Sequence, residues 1–242
     1  MKAIILAAGR GSRMGNLTLN KPKCLLEVGG KALLEWQLDA IKGAGISEIA
    51  IVTGYRSECL KDYGLVEFHN SNWAHTNMFF SLTTADEWLK KDDCIVSYSD
   101  IFYETNAIDM LKNHEGEITI TYDPEWFKLW SQRFRDPLDD AETFKIDRTE
   151  KLIEIGGKPK SVEEIQGQYM GLLRFRPAGW VKAHLIFEKL SQKSKNTMHM
   201  TGMLDMIINS RILNIETVCY KGIWGEVDSG SDLETYQKMY FS

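Results

Sequence analysis

Lys2-Ala3-Ile4-Ile5-Leu6-Ala7-Ala8-Gly9-Arg10-Gly11-Ser12-Arg13-Met14 opens the chain, and Lys21-Pro22-Lys23 follows closely. An apolar run that ends in a glycine-rich turn bearing arginine reads as a buried strand feeding a phosphate-holding loop. Glycines let backbone N–H groups converge on an anion, and arginine adds a fixed fork of donors. A dinucleotide fingerprint of the GxGxxG type fails, because Met14 stands at the last glycine position. A Walker A loop needs GKS or GKT and is absent. What remains is a nucleoside triphosphate held by the loop, Arg13 and one of the lysines. An ordinary strand–helix turn with solvated basic residues stays as the plainer alternative.

Outward from this loop, strands and helices alternate. Residues 2–7, 48–52, 65–69, 93–98 and 117–122 read as strands. Residues 31–44, 77–90 and 104–113 read as helices. That order implies a mostly parallel sheet with helices on both faces, an α/β Rossmann-like fold. Ligands in such sheets collect at the carboxyl ends of strands, where Gly9–Arg13 and Asp100 fall. The second half is less regular. Strands at 151–155 and 168–175 suggest a small antiparallel extension or lid, which makes the sheet mixed. Helices are expected at 178–190, at 201–209 and from about 230, with a strand near 213–219. The whole of 1–242 is expected to be one domain with a substrate lid near 124–170.

The bulk composition excludes several classes. The charge is −5, from 29 Lys and Arg against 34 Asp and Glu, so a nucleic-acid partner is not expected. No segment is long and apolar enough for a membrane span or a signal peptide. The four cysteines are widely spaced, with no CxxC, and read as reduced thiols of a cytoplasmic protein. Neither HxH nor HExxH occurs among the five histidines, and no GxSxG occurs, so neither a zinc site nor a serine nucleophile is expected.

Asp100 lies just past an apolar strand, where a carboxylate is costly unless it faces a ligand or a metal. Asp228 follows Trp224-Gly225-Glu226-Val227. Two carboxylates from distant strand ends can share one Mg²⁺ with phosphate oxygens. Each can equally be a turn residue or a helix cap. Residues 124–146 mix Trp126, Phe127, Trp130, Phe134 and Phe144 with arginines and carboxylates. Aromatic faces and acids suit a cationic substrate group, or else form a packing surface with a solvated rim.

Leu6 to Met14 with Lys21-Pro22-Lys23 resembles the signature of the nucleotidyltransferases (pyrophosphorylases) that activate phosphorylated small molecules, with Ser12 where threonine is usual. The resemblance implies that Arg13 grips the triphosphate, Lys23 contacts the α-phosphate, and Asp100 and Asp228 bind Mg²⁺. It places Leu6, Ala7, Ala8, Gly9, Gly11 and Ser12 around the nucleotide. Asn77 to Leu82 is similar to an N-x-x-x-S-L element of the cytidylyltransferases of phosphocholine, aminoalkyl phosphonates and phosphorylated amino acid amides, which adds Asn77 and Ser81. Sugar-nucleotide members commonly carry Glu-Lys-Pro where this chain has Gly157-Lys158-Pro159. The missing glutamate argues against a sugar acceptor. Trp130, Arg133, Asp140, Glu142, Lys158 and Tyr169 are the expected acceptor residues.

The resemblance thus implies CTP plus a small phosphate or phosphonate acceptor that bears an amine, giving a CMP-linked product and pyrophosphate. A sugar 1-phosphate nucleotidyltransferase and a non-catalytic nucleotide-binding regulator remain as alternatives. A homodimer is left open.

Overall fold

The first strand alternates its side chains between two cores. In this computed structural model, which describes residues 1–241, β1 (Lys2–Ala7) sends Ala3, Ile5 and Ala7 to one apolar cluster and Ile4 and Leu6 to another. This is the period of two expected of a strand buried on both faces. Each fully buried Leu or Ile withdraws enough apolar area to contribute about 1.5–3 kcal/mol.

A small hairpin, β2 (Glu27–Val28) and β3 (Lys31–Ala32), leads into α1 (Leu33–Gly43), then β4 (Ile49–Thr53) and β5 (Val66–His69). Two short helices, α2 (Met78–Thr83) and α3 (Asp86–Leu89), stand where the spacing suggests one helix over 77–90. The break has a local cause. Thr83 and Thr84 donate their hydroxyls back to the carbonyls of Phe80 and Ser81, at 2.6 and 2.8 Å, and compete with the helical ladder. The chain continues through β6 (Cys94–Tyr98), β7 (Ile101–Tyr103), α4 (Thr105–Asn113), β8 (Ile118–Asp123) and α5 (Trp126–Arg133). The second half holds β9 (Phe144–Ile146), β10 (Leu152–Ile155), β11 (Gln168–Phe175), α6 (Pro177–Glu188), α7 (Gln192–Thr197) and α8 (Met200–Ser210). It closes with β12 (Glu216–Cys219), β13 (Trp224–Glu226) and α9 (Gly230–Tyr240).

The main sheet has seven strands in the order β12-β8-β11-β6-β1-β4-β5. β1, β4, β5 and β6 pair in parallel, as do β8 and β12. β11 runs antiparallel to both β6 and β8, so the sheet is mixed. Helices α1, α4, α5 and α9 cover one face, and α2, α3, α6 and α8 cover the other. Of the two strands expected to form a small antiparallel extension, β10 does so, but by pairing with β9, whereas β11 joins the main sheet. Residues 126–133 form a helix whose Trp126, Leu129 and Trp130 are buried at helical spacing, so much of this aromatic segment is core. Among the described residues, no helix is long and apolar enough to cross a membrane.

Candidate active site

The loop after β1 is shaped around one lysine. Gly11 has φ +66°, and a Cβ there would lie 3.0 Å from the Cβ of Lys23, so glycine serves both the turn and the close passage of the lysine stem. The hydroxyl of Thr18 donates to the Gly11 carbonyl at 3.0 Å and pins the turn. Lys23 is buried, and its ammonium donates to Asp100 Oδ2 and Asp228 Oδ1, both at 2.9 Å. Arg13 stays 67% exposed at its side chain. It reaches Asp228 Oδ1 at 2.8 Å and Asp140 Oδ1 at 4.0 Å.

A second, small ladder brings the two aspartates together. β7 pairs antiparallel with β13, in a two-stranded sheet outside the main one. Val227 N–H donates to the Asp100 carbonyl at 2.9 Å, which locks the two turns side by side. Asp100 therefore meets Asp228 although each lies at the end of a different strand. Glu226 joins them, two residues before Asp228 and on the same side of the chain. Carboxylate oxygens of Asp100, Glu226 and Asp228 lie within 4.8 Å of one another.

Electrostatics separates the members of this cluster. Burial alone would lower the Lys23 pKa, but Asp100 and Asp228 outweigh it and hold the ammonium above its ordinary range. Burial would raise the Asp228 carboxyl, but Lys23, Arg13 and Arg133 bring it below its ordinary value. Glu226 is pushed up to about 8 by burial and by the neighbouring charges of Asp228 and Asp100. One oxygen of the cluster, Asp100 Oδ1, is buried without a hydrogen-bond partner among the described residues. An all-oxygen set with a spare buried lone pair fits a hard divalent cation.

Behind the carboxylates lies Arg133, whose side chain is wholly buried. It contacts Asp232 at 3.0 Å and both Asp228 and Glu226 at 3.5 Å. Asp232, in the first turn of α9, accepts the backbone N–H groups of Asp228 and Ser229 at 2.8 Å each. This is how the turn carrying Asp228 is held still.

One cavity opens on the cluster, and a second adjoins it. The larger, about 320 Å³, is lined by Arg13, Asp100, Glu226 and Asp228 on one side and by residues of the 130–169 region and the start of α8 on the other. The smaller, about 110 Å³, is lined by Leu6, Ala8, Gly9, Asn77 and Ser81 together with Trp73, Thr76 and Met78. Met78 borders both. Gly54 keeps the smaller one open, since a Cβ there would lie 2.5 Å from Trp73 and 2.7 Å from the Ala8 carbonyl. Ser81 accepts from the Asn70 amide at 3.0 Å, and Asn77 accepts the Met78 N–H at 2.8 Å, so both side chains are fixed.

Most of the residues singled out in the sequence come together here. Trp130, Asp140, Glu142 and Tyr169 line the larger cavity. Among the described residues, Glu142 differs from the other carboxylates in having no cation among its contacts, and its side-chain partner is the Thr201 hydroxyl at 3.4 Å. Burial raises its pKa above the ordinary carboxyl value, with Asp140 adding to the effect. Ala7 is buried on the opposite face of β1, and Ser12 starts the turn that follows Gly11. Two expected acceptor residues lie elsewhere. Arg133 is occupied behind the wall, and the Lys158 ammonium donates to the carbonyls of Leu138 and Asp139, at 2.6 and 3.0 Å. The sequence reading missed Glu226, Tyr98, Gln168, His199 and Thr201, all on the cavity wall. Glu226 carried a usable signal, its i, i+2 spacing from Asp228.

Comparison with known proteins agrees with this geometry. A family profile described as a MobA-like NTP transferase domain matches residues 3–153. The CTP:phosphoglutamine cytidylyltransferase of Campylobacter jejuni subsp. jejuni is 38% identical, over 97% of this chain and 98% of its own. The choline-phosphate cytidylyltransferase of Streptococcus pneumoniae is 42% identical, over 60% of this chain and 67% of its own. The solved inositol-1-phosphate CTP transferase from T. maritima superposes with a TM-score of 0.76 at 17% identity, over 98% of this chain and 95% of its own, a likeness of fold alone.

Proposed function

We propose, on the premise that this chain belongs to the MobA-like NTP transferase family, that it is a cytidylyltransferase. It transfers CMP from CTP to a small phosphorylated acceptor that bears an amine, and releases pyrophosphate. The activities for which two similar proteins are named, toward phosphoglutamine and choline-phosphate, support CTP as donor and an amine-bearing acceptor. The observation that carries the reading is the Lys23–Asp100–Asp228 cluster, with Arg13, at the wall of one cavity that shares Met78 with a second cavity at the end of the first strand. In this reading the smaller cavity takes the cytosine nucleoside and the larger takes the acceptor.

The reaction is an in-line displacement. An anionic oxygen of the acceptor forms a bond to the α-phosphorus, the bond from that phosphorus to the bridging oxygen breaks, and pyrophosphate leaves. No general base is needed, because the attacking oxygen is already ionised. Lys23 offsets charge on the α-phosphate, and Arg13 steadies the departing pyrophosphate. Asp100 and Asp228, with Glu226 beside them, would hold Mg²⁺, which neutralises phosphate charge when bound. Glu142 faces the amine of the acceptor, and Tyr98, Trp130 and Tyr169 supply aromatic walls near it. The 124–170 segment forms the acceptor side of a single nucleotidyltransferase domain.

Pyrophosphate release tests the reading, measured with each of CTP, UTP, GTP and TTP in the presence of Mg²⁺ and an amine-bearing phosphate. Release with CTP alone supports it. Equal release with all four contradicts the base preference, and release with none contradicts the activity.

A further inference from the structure

Lys23 and Arg13 are the side chains assigned above to the triphosphate, yet both rest on carboxylates in the structure. Lys23 bridges Asp100 Oδ2 and Asp228 Oδ1 at 2.9 Å each, and Arg13 Nη2 lies 2.8 Å from the same Asp228 Oδ1. Asp228 Oδ1 thus carries two cationic partners at contact distance. A divalent ion brought to that oxygen meets two like charges at close range, which costs several-fold in affinity even with strong dielectric screening. Arg133 behaves differently. Its side chain is wholly buried and anchored on Asp232 at 3.0 Å, so it stays in place.

We propose that Lys23 and Arg13 form a cation latch. They occupy the paired aspartates until a triphosphate draws them off, so that the carboxylates accept a divalent ion together with the nucleotide and not before it. The exchange conserves charge, since two single positive charges leave the carboxylates as one double charge arrives. The latch rests on the reading of Asp100 and Asp228 as metal-binding residues. It adds that Lys23 and Arg13 couple nucleotide binding to metal loading, and coupling between two sites is reciprocal.

The test is the affinity of the nucleotide-free protein for Mn²⁺, read from the electron paramagnetic resonance signal of the free ion. The wild type is expected to bind Mn²⁺ weakly. Lys23→Met and Arg13→Gln are each expected to tighten binding about 5- to 150-fold, the usual span of a coupling of this kind. Because the Arg13 side chain is largely exposed, Arg13→Gln tests the latch even where the buried Lys23→Met variant fails to fold. No tightening in either variant overturns the latch. Adding Asp100→Asn to Arg13→Gln separates the two ideas. Loss of the tightened binding places the ion on the latch's own carboxylates, as the latch requires. Tight binding that survives the second change puts the ion elsewhere and overturns the metal-site reading together with the latch.

Discussion

Arg133 Nε donates to Asp232 Oδ1 at 3.0 Å, and this pair lies behind the cavity wall, not in it. Asp232 in turn holds the backbone N–H of Asp228. The pair therefore sets where the Asp228 carboxylate points, while Asp228 itself faces Lys23 and Arg13.

Arg133→Met leaves the Asp232 carboxylate buried without its cation. Breaking a buried pair from one side costs about 3–5 kcal/mol. Urea unfolding of the variant is expected to show a loss of that order. A loss below about 1 kcal/mol would mean that Arg133 does not organise the cluster.

Lys23→Ala removes the ammonium assigned to the α-phosphate. Turnover is expected to fall by about 100- to 1,000-fold, as when one preorganised charge-stabilising donor is lost. CTP affinity, measured by calorimetry, is expected to change far less. Unchanged turnover contradicts the assigned role.

Glu142→Gln tests the acceptor side. KM for an amine-bearing acceptor is expected to rise by about tenfold or more, while the affinity for CTP and KM for an analogue that lacks the amine, such as ethyl phosphate, hold steady. An equal rise for both acceptors makes Glu142 a packing residue. The pH dependence has a defined sign. The Glu142 pKa is raised by burial, so protonation removes its charge at a higher pH than for an ordinary carboxyl. KM for the amine-bearing acceptor therefore rises as pH falls through that value. Glu142→Gln abolishes this inflection and keeps the one from the acceptor phosphate near about 6.

Gly54→Ala tests the smaller cavity. The new methyl group would press on Trp73 and on the Ala8 carbonyl. Overpacking of this kind costs about 1–3 kcal/mol. Weaker CTP binding with an unchanged KM for the acceptor is expected. The reverse pattern would mean that the nucleoside lies in the other cavity.

The sequence exposed the parts of this molecule that are local. β1, β4 and β6 follow from unbroken apolar runs, and the Gly9–Arg13 turn follows from its glycines. Asp100 and Asp228 could be singled out by position, but their meeting depends on the three-residue pairing of β7 with β13, too short to leave a periodic pattern. Arg133 looked like an acceptor residue because its segment is aromatic and charged. Its partners, Glu226, Asp228 and Asp232, lie far along the chain, and no spacing rule connects them. Lys158 was placed by motif position alone, and the loop around it turns the ammonium onto backbone carbonyls. Glu226 was legible in principle from strand alternation. Thr201 and His199 were not, because the start of α8 reaches the cavity through long-range packing, chiefly of α8 on β10.

The most direct test of the central claim is a competition followed by ³¹P nuclear magnetic resonance. CTP and Mg²⁺ are incubated with phosphoglutamine, phosphocholine, 2-aminoethylphosphonate and glucose 1-phosphate together. The expected result is a new CMP-linked phosphoanhydride signal from an amine-bearing acceptor, with pyrophosphate formed in equal amount and glucose 1-phosphate untouched. A product from glucose 1-phosphate alone would contradict the assignment of Glu142 and of the larger cavity to a cationic acceptor.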